Sequence, residues 1–190
     1  LWQGVYGDSA SSGVGHSVLQ TSDGGFIIAG SLQRPFGPPL PGVLLLKMDR
    51  DGNTLWAKTY GALERDSGFS VQLALDGGYV VTGVSAGDAY LMKTDADGNL
   101  LWEKTFGGTG DDTGSSVHET RDGGLVVTGY TDSQGTGDLD VFLFRTDAGG
   151  ALLWQHSFGD TGEGIGREVL QSSDGGYVVV GLTHSTDDGE

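Results

Sequence analysis

Asp122-Gly-Gly-Leu-Val-Val-Thr-Gly-Tyr-Thr131 decides the reading of this chain, because close copies of the segment return along it. Its Asp-Gly-Gly opening stands at Asp23, Asp76, Asp122 and Asp174, each followed by a short apolar run that ends in glycine. All four tryptophans, Trp2, Trp56, Trp102 and Trp154, keep nearly the same spacing. Self-similarity with a period of roughly 50 residues means that one supersecondary unit is copied and that neighbouring units stack.

Each unit reads as four short strands, lettered A to D. Strand A carries Ser17-Val18, Ser70-Val71, Ser116-Val117 and Glu168-Val169. Strand B covers 26–30, 79–83, 125–129 and 177–181, strand C covers 43–49, 88–95 and 140–147, and strand D holds the Leu-Trp pairs. Successive apolar residues on strand B, such as Val80-Val81 and Val126-Val127, require cover on both faces, as a strand inside a stacked blade has. Short strands punctuated by Gly and Asp, with no helical period, predict an all-β protein of four-stranded antiparallel propeller blades. About four repeats are expected over a single array spanning 1–190, three complete and the rest partial. Leu1-Trp2 begins within a repeat, so the natural chain is expected to start earlier. Trp2 would then sit beside strand B of the last unit and close a small ring, or the chain would be part of a larger one.

The turns follow from residue chemistry. Ser-Asp-Gly-Gly and its variants join A to B, and Asp49-Arg-Asp-Gly-Asn53, Asp95-Ala-Asp-Gly-Asn99 and Asp147-Ala-Gly-Gly150 join C to D. Glycine supplies positive φ, and Asp hydrogen-bonds the backbone two residues on. Asp-x-Asp-Gly-Asn is not an EF-hand loop, since Gly at position six and Glu at twelve are missing. Length varies between strands B and C: Gly30 to Lys47 and Gly129 to Arg145 are far longer steps than Gly83 to Lys93. All four prolines, Pro35, Pro38, Pro39 and Pro41, fall in the first of these loops. In a meander the B–C loops share a face with the D-to-A crossovers, and variable loops on a rigid scaffold are where binding sites occur. The loop face is therefore expected to be functional, with Arg34 and Phe36 among its contact residues.

Composition narrows the partners. The chain has 190 residues, 36 Gly, no Cys and a formal charge of −16. That charge repels nucleic acid and anionic membrane surfaces, and no window is long and apolar enough to span a bilayer. Without Cys, neither a disulfide framework nor a thiolate metal site is available. His16, His118, His156 and His184 have no zinc-ligand spacing, and no nucleophile elbow or phosphate loop occurs.

The unit Gly107-Gly-Thr-Gly-Asp-Asp112, Asp122 through Thr131, then Asp140-Val-Phe-Leu-Phe-Arg-Thr-Asp147 resembles the β-propeller repeats of the SBBP and delta-60 families. Those repeats occur largely in secreted or cell-surface prokaryotic proteins. The stretch 95–102 also resembles the tryptophan-docking motif of PQQ-type propellers. The likeness covers essentially the whole chain. It implies a scaffold or binding module at the outside or surface of a prokaryotic cell, and it brings no catalytic residue.

Acidic residues recur before strand A, at Asp66, Asp111, Asp112 and Glu163, and at the ends of the variable loops, at Asp88, Asp138 and Asp140. Converging near an axis, they would form a carboxylate rim suited to Ca²⁺, which takes six to eight oxygen ligands. The competing expectation is a solvated acidic surface with no cofactor. Lys47, Lys93 and Arg145 stand two residues before Asp49, Asp95 and Asp147, on the same strand face, and are expected to pair with them. The tryptophans are expected to pack blade against blade rather than serve as sugar platforms. The leading expectation is a non-enzymatic module that recognises protein or glycan. The alternatives are a polysaccharide hydrolase using loop-face carboxylates, and a structural array that self-associates through open blade edges in a surface layer or filament.

Overall fold

The computed structural model describes residues 12–33, 42–61, 66–135, 139–159 and 162–184. Three complete four-stranded blades and half of a fourth follow one another, and no helix occurs among the described residues. The first blade is β1 (Ser12–Gln20), β2 (Phe26–Gln33), β3 (Val43–Met48) and β4 (Thr54–Tyr60). The second is β5 (Ser67–Leu73), β6 (Tyr79–Ser85), β7 (Asp88–Thr94) and β8 (Leu100–Phe106). The third is β9 (Asp112–Glu119), β10 (Leu125–Thr131), β11 (Asp140–Thr146) and β12 (Leu152–Phe158), and the last pair is β13 (Glu163–Gln171) and β14 (Tyr177–His184). Every blade is an antiparallel meander with strands side by side in chain order. The inner A strands β1, β5, β9 and β13 approach one another in succession.

The core lies between blades, as the doubly apolar B strands require. Ile27, Ala29, Val43 and Leu45 of the first blade pack on Val71, Val81, Tyr90 and Met92 of the second. Val80 and Leu91, on the other face of the second blade, pack on Val117, Val127, Phe142 and Phe144 of the third. Val80 and Val81 are both 0% exposed although they are adjacent in sequence, so one strand feeds two cores. Each such side chain contributes roughly 1.5–3 kcal/mol of burial. Val14 and Val18 on β1, and Val178, Val180 and Leu182 on β14, stay exposed at the two ends of the stack.

Tryptophan fixes the spacing of the outer strands. The ring of Trp56 lies against Gly98 in the C–D turn of the next blade, and Trp102 lies in the same way against Gly150. A Cβ on Gly98 would stand 2.7 Å from Trp56 Cη2, and one on Gly150 2.8 Å from Trp102 Cζ3. Both glycines also have positive φ, 71° and 76°. Tyr60 Oη donates to Gly98 O at 2.6 Å, and Lys58 Nζ donates to Asp97 O at 2.7 Å and to Asn99 Oδ1 at 2.9 Å. Burial, and then the negative charge of Asp95, pushes the Tyr60 phenol up to about 12, so it stays a donor. Trp154 packs on Tyr177 at 5.6 Å between ring centroids. Trp2, and with it the expected ring closure, lies outside the described residues.

The repeated ion pair has a different partner from the one its spacing suggested. Lys47 pairs with Asp23 at 2.9 Å and Lys93 with Asp76 at 2.7 Å, and Arg145 pairs with Asp122. Asp49 and Asp95 are taken by their own turns: Asp95 Oδ1 accepts from Asp97 N and Asn99 N, and Asn99 Nδ2 donates to Asp95 Oδ2. Asp49 makes the same bonds to Asp51 and Asn53, and Asp147 those to Gly149 N and Ala151 N. The strand-C cation therefore reaches the A–B turn, and the repeated Asp-Gly-Gly aspartate ties strand C to the A–B hairpin. In the fourth unit Asp174 caps the same turn through Ser172 Oγ and Gly176 N.

These turn carboxylates are held below their usual range. The Lys93 ammonium does this to Asp76, and the Thr21 and Thr120 hydroxyls, followed by Lys47 and Arg145, do it to Asp23 and Asp122. Folded values below the unfolded value of about 4 mean that the unfolded chain takes up protons first as pH falls. Their contribution is present above about pH 4 and is lost as pH drops through the depressed native values. The melting temperature should hold steady from neutral pH to about 5 and fall steeply below about 4, and replacing Asp23, Asp76 and Asp122 together by Asn should remove part of that fall. Trp102→Ala should cost about 2–3 kcal/mol in urea denaturation, somewhat under a fully buried aromatic because this ring is half-buried. Gly150→Ala should cost about 1–3 kcal/mol, since the methyl meets the ring and the φ is left-handed.

Candidate functional site

Each inner strand carries one extra residue. Pairing runs Gly15 with Gly30 and then Ser17 with Ala29, Gly68 with Gly83 and then Ser70 with Thr82. Gly114 pairs with Gly129 and then Ser116 with Thr128, and Gly166 with Gly181 and then Glu168 with Val180. His16, Phe69, Ser115 and Arg167 are thus β-bulge residues, one in each unit at the same repeat position. The glycine that ends strand B makes the bulge fit: a Cβ on Gly83 would stand 1.8 Å from Ser67 O, and one on Gly129 1.7 Å from Thr113 O. A bulge re-aims the side chain it adds.

All four bulge residues line one cavity of about 590 Å³. Val84 of β6, Gly87 from the second B–C loop, Asp111 from the crossover, Asp112 and Thr113 at the start of β9, and Tyr130 of β10 complete its wall. His16 meets Phe69 edge to face, with ring centroids 5.1 Å apart and planes at 77°. Crossovers and B–C loops share this face: Asp112 N donates to Gly87 O at 2.7 Å and Asp132 N to Asp111 O at 3.1 Å.

The acidic residues singled out from the sequence divide into two kinds. Asp66, Asp112 and Asp140 are 1%, 0% and 1% exposed and serve as internal staples. Asp66 accepts from Ser85 Oγ at 2.8 Å and from Ala86 N at 3.1 Å, holding a B–C turn in which Ala86 has a φ of 55°. Asp112 Oδ2 accepts from Gly108 N at 2.9 Å and from Ser133 Oγ at 2.7 Å, joining the crossover to the third B–C loop. Asp140 sits so close to Gly135 and Gly159 that no Cβ would fit at either glycine. Asp111 and Glu163 are exposed; Asp111 lines the large cavity, while Glu163 lines a separate one of about 300 Å³ beside Val141 and Phe158. Asp88 is half-buried, and burial followed by the nearby Asp112 charge pushes its carboxyl above the usual range. Asp138, Arg34 and Phe36 lie outside the described residues. Among the described residues no three His, Asp or Glu side chains group as a metal site.

The described site is therefore built less from the expected carboxylates than from a bulge position that the sequence reading passed over. The signal was present: between Gly and Ser-Val or Glu-Val, the four units carry His, Phe, Ser and Arg, four unlike side chains beside residues that recur.

Fold and site together define an array of propeller blades with a side-chain-lined cavity on its loop face. No protein-family model matches the chain, and no curated protein matches it in sequence. Its fold is similar to that of a protein of unknown function from Bacteroides caccae whose crystal structure is known, with a TM-score of 0.56 and 15% identity. The alignment covers 93% of this chain and 58% of that one, so this chain spans less than two thirds of its neighbour's length. At that identity the likeness shows the fold alone.

The two kinds of acidic residue separate in a stability measurement. Asp66→Ala strands Ser85 Oγ and Ala86 N without their acceptor and should cost about 2–3 kcal/mol. Asp111→Ala, at an exposed position, should fall within about 0.5 kcal/mol of the parent. Chemical denaturation compares the two, and equal stabilities would refute the staple assignment.

Proposed function

We propose that this chain is a non-enzymatic binding module whose loop face recognises a glycan or protein, and that it works outside or on the surface of a prokaryotic cell. The observation that carries the reading is the contrast between repeated and unrepeated positions. Turn aspartates, docking tryptophans and strand-B glycines recur with their geometry, whereas the bulge position presents a different chemistry from each blade to a shared cavity. A site made of four unlike side chains on a rigid frame suits recognition. The resemblance to SBBP and delta-60 repeats supports the extracellular setting.

Hydrolysis of a glycosidic bond needs two carboxyl groups facing the substrate from set distances. Here Asp111 is exposed at the cavity, but its neighbour Asp112 is buried and its Oδ2 is occupied by Gly108 and Ser133. That arrangement favours binding over catalysis.

Filling the cavity tests the proposal. Probed against a glycan array and a displayed peptide library, Ser115→Trp should lose the ligands that the parent retains. Ala96→Trp, in a tight turn on the opposite face, should keep them. Equal retention by both variants would count against a loop-face site.

A further inference from the structure

Within that binding-module reading, we infer that the cavity takes a neutral sugar residue, stacked on Phe69 and hydrogen-bonded through its hydroxyl groups. A volume of about 590 Å³ lies within the roughly 300–1,000 Å³ of small-molecule sites. The wall sets four chemical conditions. Phe69 is half-buried and meets His16 at a steep angle, so the part of its ring that stays accessible is an aromatic surface for an apolar ligand face. Arg167 is exposed at the cavity and forms no ion pair among the described residues, so it offers donors. Asp111 offers acceptors on the same wall. Asp112 Oδ1 is buried and makes no hydrogen bond, although its partner oxygen has two donors.

Ligand classes fail these conditions in turn. A wholly apolar molecule would desolvate Arg167 and Asp111 without replacing their water. A polyanion meets Asp111 and Asp112 in a chain of charge −16, and a polycation meets Arg167. A peptide added as a strand needs a continuous edge of N–H and C=O groups, and the bulge in each of β1, β5, β9 and β13 interrupts that edge beside the cavity. A sugar meets all four conditions. Its C–H face stacks on a ring, and each hydroxyl both accepts from a guanidinium and donates to a carboxylate.

The experiment is titration calorimetry of the whole chain, guided by a glycan array that holds neutral oligosaccharides, uronic-acid oligosaccharides and peptides. The expected result is binding of a neutral saccharide that weakens roughly tenfold or more in Phe69→Ala and again in Arg167→Ala, with the thermal melt unchanged in Arg167→Ala and still cooperative in Phe69→Ala. Arg167→Lys, which keeps the charge but loses the planar donor pair, should recover only part of the loss. Retention of uronic-acid glycans alone, or of no saccharide at millimolar concentration, overturns the sugar assignment. Retention of peptides alone, sensitive to Phe69→Ala, overturns the sugar assignment and leaves the binding-module reading standing. Ligands indifferent to Phe69→Ala, Arg167→Ala and Ser115→Trp overturn both.

Discussion

Cover for both faces of strand B is the constraint on which the rest of this protein depends. Tyr79, Val80 and Val81 are buried one after another, which a two-faced sheet achieves only between two other sheets. A single blade has no interior, so stability is a property of neighbouring pairs, as in other repeat proteins. The tryptophan contact follows from this requirement. Sheets stacked face to face leave their outer strands free to splay, and a ring seated on the glycine of the next turn stops that movement at Trp56 and Trp102. At the two ends of the described stack, Val14 and Val18 on β1 and Val178, Val180 and Leu182 on β14 are exposed.

Charge is arranged around the same division between frame and face. The strand-C cations are largely buried, yet each has an aspartate in the adjacent hairpin, so the pairs close blades internally rather than join them. Breaking one would leave a buried cation without compensation, the expensive half of any ion pair. On the loop face Asp66 and Asp112 accept from backbone N–H and hydroxyl donors. Carboxylates held by such donors shape the crossovers, and among the described residues no three His, Asp or Glu side chains group as a metal site.

Most of the fold was legible in the sequence, because turn chemistry and hydrophobic runs are local properties and a repeat multiplies them. The strands, their order and the interblade role of the described tryptophans could all be read from the positions of glycine, aspartate and Trp. The site was much less legible. Asp111 and Asp112 are identical neighbours in sequence, yet one is exposed and the other 0% exposed, and only the path of the crossover decides which is which. Counting in twos puts Lys93 and Asp95 on one face, but β7 ends at Thr94, Asp95 is held in the turn by Asn99, and Lys93 pairs with Asp76. The bulge residues escaped for a related reason. Alternation assigns strand residues to faces by counting in twos, and one inserted residue breaks the count at the place where the side chain is redirected.

The bulge also explains how a repeated frame carries an unrepeated site. Substitution at the Trp102 contact or within the cores costs kilocalories, since it opens a cavity between blades. His16, Phe69, Ser115 and Arg167 lie outside the pairing register, and His16 and Arg167 are exposed, positions where exchanges usually stay within about 0.5 kcal/mol. The backbone that forms the bulge is fixed elsewhere, by the strand-B glycines and the carbonyls pressed against them. Position and chemistry are thereby decoupled. The glycine sets where the side chain points, and the bulge residue sets what it offers. Four units built on one plan can then present an imidazole, a phenyl ring, a hydroxyl and a guanidinium to a single cavity without disturbing the packing that holds them there.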